Sequence, residues 1–321
     1  MRELVVISGK GGTGKTSVVA SFATLAGRCV LADCDVDAAD LHLIFEPRTI
    51  RREDFSGGSK ARIKPGHCSA CGKCEELCRF EAIHFDGPGN GRVSKTFRVE
   101  ATACEGCGVC VDYCAEDAVE FAPTVCGQWF VSETRSGQMV HAKLGVAAEN
   151  SGKLVTQVRR VAQEVAQQQR LDIIISDGSP GIGCPVIASL TGASLALFVV
   201  EPTVSGLHDF RRVAQLATRL GVAGLLVVNK ADLNPKVAAE LEAMAAQHRI
   251  SPVGQIPYDP EVTRAQVAGK TVIEASNGAA TQAIRRVWGE IQTRLLSAAS
   301  SSVDGFVQIE SQQADQRGEL L

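Results

Sequence analysis

Leu4-Val5-Val6-Ile7-Ser8-Gly9-Lys10-Gly11-Gly12-Thr13-Gly14-Lys15-Thr16 opens the chain with a short, continuously apolar run that ends in a glycine-rich loop. Such a run reads as a strand buried on both faces. Gly9, Gly11, Gly12 and Gly14 let the backbone turn inward, so that its N–H groups can cradle phosphate oxygens at the start of the next helix. In this reading Lys15 reaches the β- and γ-phosphates and the Thr16 hydroxyl binds Mg²⁺. Thr13 and Ser17 complete the phosphate-binding set.

Further apolar runs ending in Gly, Asp or Asn recur at 28–33, 171–177, 195–200 and 223–229. Helical periodicity fills the stretches 15–27, 153–170, 206–220, 235–248 and 281–297. The last of these places Ile284, Val287, Trp288, Ile291 and Leu295 on one stripe, as a core-packing face would. Alternating strands and helices imply an α/β, doubly wound, mostly parallel sheet. Two stretches fall outside the pattern. Residues 61–123 lack helical periodicity and read as an inserted small α+β module between 1–60 and 124–297. Residues 298–321 are polar and read as a flexible tail.

The insert carries Cys68-x2-Cys71-x2-Cys74-x3-Cys78 and then Cys104-x2-Cys107-x2-Cys110-x3-Cys114, 36 residues later. The flanks repeat too, since Glu81-Ala-Ile83-His-Phe85 corresponds to Asp117-Ala-Val119-Glu-Phe121. Soft thiolates in compact quartets suit [4Fe–4S] clusters, with paired Cys-x2-Cys zinc sites as the rival reading. The run resembles that of a two-cluster bacterial ferredoxin. The resemblance implies that Cys68, Cys71, Cys74 and Cys114 hold one cluster, and Cys104, Cys107, Cys110 and Cys78 the other. It departs from the ferredoxin pattern where Arg79 and Ala115 replace the proline after each fourth cysteine.

Lys10 makes the phosphate loop resemble that of the MinD/ParA/nitrogenase-iron-protein ATPases, whose extra lysine crosses a dimer interface to the partner's nucleotide. Asp33-Cys34-Asp35-Val36-Asp37 is similar to that family's first switch, which implies that Asp35 positions water or metal. Ile175-Ser-Asp177-Gly-Ser-Pro-Gly181 is similar to its Walker-B segment and second switch, which implies that Asp177 reaches Mg²⁺ through water. Asn229-Lys-Ala-Asp232 looks like a base-recognition motif, and the resemblance favours ATP over a guanine nucleotide. The whole is similar to the MinD-like ATPases with an inserted ferredoxin domain, a subgroup that Asn150-Ser-Gly-Lys-Leu154 also resembles. Cys184 lies seven residues after Asp177, where the nitrogenase iron protein has a cluster ligand. The resemblance implies a candidate iron site at Cys184, with Cys126.

With 45% hydrophobic residues in 321, the chain can bury a large core, and its formal charge of −3 is unremarkable. Its paired arginines are scattered, which argues against nucleic acid as a partner. No apolar run suits a membrane span, and the N-terminus enters a strand directly. Twelve cysteines without an export signal fit a reducing, cytoplasmic setting. The expected function is an ATPase whose dimer closure, as a homodimer or with a related ATPase, is linked to electron transfer or metallocentre maturation in a redox or metalloprotein partner. The alternatives are an iron–sulfur carrier, a ferredoxin with nucleotide as allosteric ligand, and a MinD/ParA-type spatial organiser. The carrier reading lacks the C-terminal Cys-x-x-Cys of Mrp-type ATPases, since residues 230–321 contain no cysteine.

Overall fold

The computed structural model describes residues 1–145 and 151–295. The tail 298–321 and Asn150 lie outside the described residues. From the N-terminus, β1 (Arg2–Ile7) passes through the phosphate loop into α1 (Lys15–Ala26), β2 (Val30–Asp33) and α2 (Leu41–Phe45). Next come β3 (Arg48–Ile63), α3 (Lys73–Glu76), β4 (Ile83–Pro88), β5 (Lys95–Val99), α4 (Val109–Asp112) and β6 (Val119–Thr134). Strand–helix alternation resumes with β7 (Gly137–Leu144), α5 (Ser151–Gln169), β8 (Ile173–Asp177), α6 (Cys184–Leu190), β9 (Leu195–Val200) and α7 (Val204–Arg219). It ends with β10 (Gly224–Asn229), α8 (Pro235–Gln247), β11 (Ser251–Ile256), α9 (Pro260–Val267), α10 (Val272–Ala275) and α11 over 279–295.

Among the described residues, one large sheet has the order β11-β10-β9-β1-β8-β2-β7-β6-β3. The strands from β11 to β7 pair in parallel. Strand β1 shows why the fold is two-sided. Leu4 and Val6 enter a core shared with Val18, Phe22 and Trp288, whereas Val5 and Ile7 enter one shared with Phe198 and Phe210. Period-two alternation of apolar side chains therefore needs helices on both faces. The stripe on α11 is buried as a core face, with the Trp288 ring 5.1 Å from that of Phe22. A buried ion pair closes the opposite end of β1. Arg159 on α5 donates to Glu3 (Nε–Oε1 2.8 Å, Nη2–Oε2 2.6 Å) and to the Ala188 and Thr191 carbonyls. Ser176 on β8 completes it by donating to Glu3 at 2.6 Å.

The chain divides into two compact units. The first comprises Met1–Arg52, Phe130–Ala142 and the described chain from Ser151, and the second Glu53–Trp129 with the residues from Lys143. The division falls outside the expected 61–123 because β3 and β6 are 16 residues each and run without a break from one unit into the other. In the first unit, Arg135 at the β6–β7 turn donates to the Ile44 and Gly269 carbonyls at 2.9 Å and forks onto Glu274 at 2.8 and 3.0 Å. In the second, β4 and β5 form a two-stranded antiparallel sheet. No described helix is long and apolar enough to cross a membrane.

Candidate functional site

The phosphate loop lies between β1 and α1, and its last turn depends on Gly14. That residue has φ +85°, and a Cβ there would sit 2.4 Å from the Asn229 amide nitrogen. Asn229 explains the close approach, since its Nδ2 donates to the Thr13 carbonyl at 2.8 Å. Lys15 is buried and ion-paired to Asp177, with Asp35 at 3.6 Å. Thr16 Oγ1 donates to the other Asp177 oxygen at 2.8 Å. Burial works to lower the Lys15 pKa, but Asp177 and Asp35 outweigh it and leave it raised. Burial pushes Asp33 well above the usual carboxylate range, helped by Asp177, and Asp33 accepts the N–H groups of Asp35 and Leu41 at 3.2 and 3.4 Å. Asp35 is raised as well, chiefly by burial.

The loop faces a cleft of about 1200 Å³, open mouth included, which is lined by Gly11 to Ser17, Asp35 and Asn229. Its far wall is Pro257, Tyr258, Asp259, Val262, Thr263 and Gln266, which sequence reasoning did not single out. The signal for that wall was the Pro-Tyr-Asp-Pro run after an apolar stretch, in which Asp259 caps α9 by accepting from Glu261 N–H at 3.0 Å. Gln266 then reaches back to donate to Ser17 Oγ at 2.7 Å. Asp232 stands outside the cleft lining and accepts the Tyr258 N–H at 2.6 Å. Both polar ends of the Asn-Lys-Ala-Asp motif thus brace loops around the cleft. Gly9 packs against α7, where a Cβ would meet that of Asp209 at 2.5 Å. Lys10 points along the same surface, with its ammonium 3.1 Å from Ser205 Oγ, 3.3 Å from Thr203 Oγ1 and 3.7 Å from Glu201.

The second unit sorts its eight repeated cysteines around two separate cavities. One, of about 360 Å³, is lined by Cys68, Cys71, Cys74 and Cys114. The other, of about 370 Å³, is lined by Cys78, Cys104, Cys107 and Cys110. Both volumes include the open mouth. The duplication extends to backbone detail. Gly72 and Gly108 both have φ 79°, while Glu81 and Asp117 have φ 52° and 46°. Ala82 and Ala118 donate N–H bonds to Cys78 and Cys114 sulfur at 3.4 and 3.3 Å. These bonds form in the turns where Arg79 and Ala115 stand. Burial pushes the Cys74 thiol up to about 11 and raises that of Cys110. Among the described residues, no three His, Cys, Asp or Glu side chains converge tightly enough to hold a single metal ion, Cys126 and Cys184 included. Cys184 is exposed at the first position of α6. Cys126 is half-buried, accepting the Gly57 N–H at 3.1 Å. Cys29 and Cys34 are core residues, with burial pushing the Cys29 thiol up to about 12.

A glycine-cradled loop between the first strand and helix of a mostly parallel sheet, with Lys15, Thr16 and Asp177 convergent, defines a P-loop nucleotide-binding α/β protein. Residues 4–272 match the CobQ/CobB/MinD/ParA nucleotide binding domain, and the chain belongs to that family of ATPases. Its sequence is 30% identical to the uncharacterized protein MJ0578 of Methanocaldococcus jannaschii, over 90% of this chain and 96% of that protein. It is 23% identical to the uncharacterized ATP-binding protein MJ0547 of the same organism, over 92% and 88%. The fold is similar to that of the septum site-determining protein MinD of Pyrococcus horikoshii complexed with Mg-ADP. There the TM-score is 0.53 at 16% identity, covering 90% of this chain and 95% of that one.

Proposed function

We propose that this chain couples ATP-driven closure of two protomers to iron–sulfur redox chemistry in its cysteine-bearing unit. The observation that carries the reading is the sorting of eight thiols around two cavities, three from each run joined by the fourth of the other. A two-cluster ferredoxin requires this crossed partition. In this reading residues 61–123 are an inserted ferredoxin domain. Cys68, Cys71, Cys74 and Cys114 would hold one [4Fe–4S] cluster, and Cys104, Cys107, Cys110 and Cys78 the other. Clusters so held supply one-electron redox chemistry.

The nucleotide side follows from the residues around the cleft. Lys15 would leave Asp177 to serve the β- and γ-phosphates of ATP. Thr16, with Asp177 through water, would hold Mg²⁺, and Asp35 would position the attacking water or the metal. The Mg-ADP held by the structurally similar MinD supports this assignment. Lys10, held loosely by two hydroxyls and a carboxylate, extends to the nucleotide of a second protomer, either identical or from a related ATPase. ATP favours the closed pair only because that state binds it more tightly, and a cation delivered on closure provides the preference. The output is electron delivery to, or metallocentre maturation in, a redox or metalloprotein partner.

The test is metal and sulfide analysis of anaerobically purified full-length protein, with EPR of the dithionite-reduced sample with and without ATP and Mg²⁺. About eight iron and eight sulfide per chain are expected, with signals that ATP perturbs in wild type and not in Lys15→Ala. Zinc or no metal, or spectra indifferent to ATP, would overturn the proposal.

A further inference from the structure

The 36-residue repeat allows each wall position of one cysteine cavity to be compared with its counterpart in the other. The cavity of Cys68, Cys71, Cys74 and Cys114 is also lined by Lys73, Tyr113 and Glu116. The counterparts around Cys78, Cys104, Cys107 and Cys110 are Val109, Leu77 and Phe80, which line that cavity instead. The Lys73 ammonium lies 5.7 Å from the centre of the Tyr113 ring, which fixes it over the cavity wall. Tyr113 is itself 58% exposed, so water reaches this rim. The lining of the second cavity contains no cation and one carboxylate, Glu105. Two sites that descend from one repeat thus present the same four thiols to different electrostatic surroundings.

An added electron makes a thiolate-ligated cluster more negative, so nearby positive charge and solvent favour its reduction, and apolar walls disfavour it. Phe80 on the other side is 45% exposed, so both rims meet water. Glu116 opposes Lys73 in part, but the ammonium over a ring has no equivalent in the lining of the other cavity. We infer that the two sites are tuned apart, and that the one bounded by Cys68, Cys71, Cys74 and Cys114 is the better electron acceptor. This rests on the iron–sulfur reading above. One electron added to the doubly oxidised protein resides there, and the Cys78, Cys104, Cys107 and Cys110 site is reduced only at lower potential. Lys73 and Tyr113 act as tuning residues; neither binds iron.

The experiment is a dithionite redox titration of the anaerobic full-length holoprotein followed by EPR, on wild type, Lys73→Gln, Lys73→Val with Tyr113→Leu, and Val109→Lys. Wild type should titrate in two steps. Both Lys73 variants should lower the higher midpoint alone, with the larger shift for the double exchange, while Val109→Lys should raise the lower midpoint. Each change narrows the gap, and iron content should remain at the wild-type level. A single step in wild type, movement of the lower midpoint on changing Lys73, or a gap that neither Lys73→Gln nor Val109→Lys alters would overturn the inference while leaving the cluster assignment standing. Absence of iron from wild type would remove both together.

Discussion

At the phosphate loop, Lys15, Thr16 and Asp177 satisfy one another directly, above two apolar cores packed on either side of the sheet. Among the described residues, the cysteine unit has no comparable reserve. Its apolar cluster consists of few residues, and six of the eight repeated cysteines belong to it or pack against it. Thiols that should face a bound group are therefore also the walls of the fold. If the thiols hold clusters as proposed, ligand and stability are separable in one unit and joined in the other. The nucleotide unit should stand without its ligand. In the cysteine unit, a small core of this kind needs a staple.

The largest effect expected from this contrast comes from metal removal. Treating the reduced holoprotein with an iron chelator should abolish amide-exchange protection across β4 and β5, by about 10³-fold or more if the bound group contributes several kcal/mol. Strands β1, β8 and β9 should retain theirs. Equal loss in both units, or in neither, would break the comparison. A smaller effect is expected inside the nucleotide unit. Glu3→Ala strands a buried Arg159 that also serves two carbonyls, and should cost that unit about 3–5 kcal/mol in denaturant titrations. A cost under 1 kcal/mol would mean that the sheet does not depend on this network.

The contrast also governs what could be read from the residues. Strands β1, β2, β8, β9 and β10 were legible because burial on both faces makes each a continuous apolar run. Strand β11 was not, because Ser251-Pro-Val-Gly-Gln-Ile256 is an edge strand with only Ile256 fully buried. Strand β3 carries charges and glycines along most of its length, and β6 breaks its apolar residues with Pro123, Gly127 and scattered polar positions, so neither apolar continuity nor clean alternation marks them. The phosphate loop was legible because its function fixes spacing within a single turn. The far wall of the cleft was not, since it is assembled from α9 and the loop before it, more than 240 residues downstream. Asn229 and Asp232 mark the limit of motif reading. Their spacing suggests base recognition; the structure adds that Asn229 lines the cleft and holds Thr13, while Asp232 holds Tyr258, contacts that spacing alone could not show.

The smallest effect tests whether the nucleotide unit has an acid sensitivity of its own, independent of anything the thiols bind. His141 on β7 stacks on Phe130 with ring centres 5.0 Å apart and pairs with Ser132 Oγ at 2.9 Å. Burial, with His42 adding to it, lowers its pKa from 6.5 to about 4. A depressed histidine pKa means that the unfolded chain binds the proton more readily, so stability rises with pH across this window. The contribution is complete above pH 6.5 and erodes by about 1.4 kcal/mol per pH unit on acidification. It levels off near pH 4 after a loss of roughly 3 kcal/mol. Carboxylates titrate over the same range, so the informative quantity is a difference. In His141→Gln, which retains a partner for Ser132, the slope of stability against pH between 6.5 and 4 should fall by the equivalent of one proton. Identical slopes in variant and wild type, followed by exchange at β1 and β8, would place the unit's acid response in its carboxylates alone.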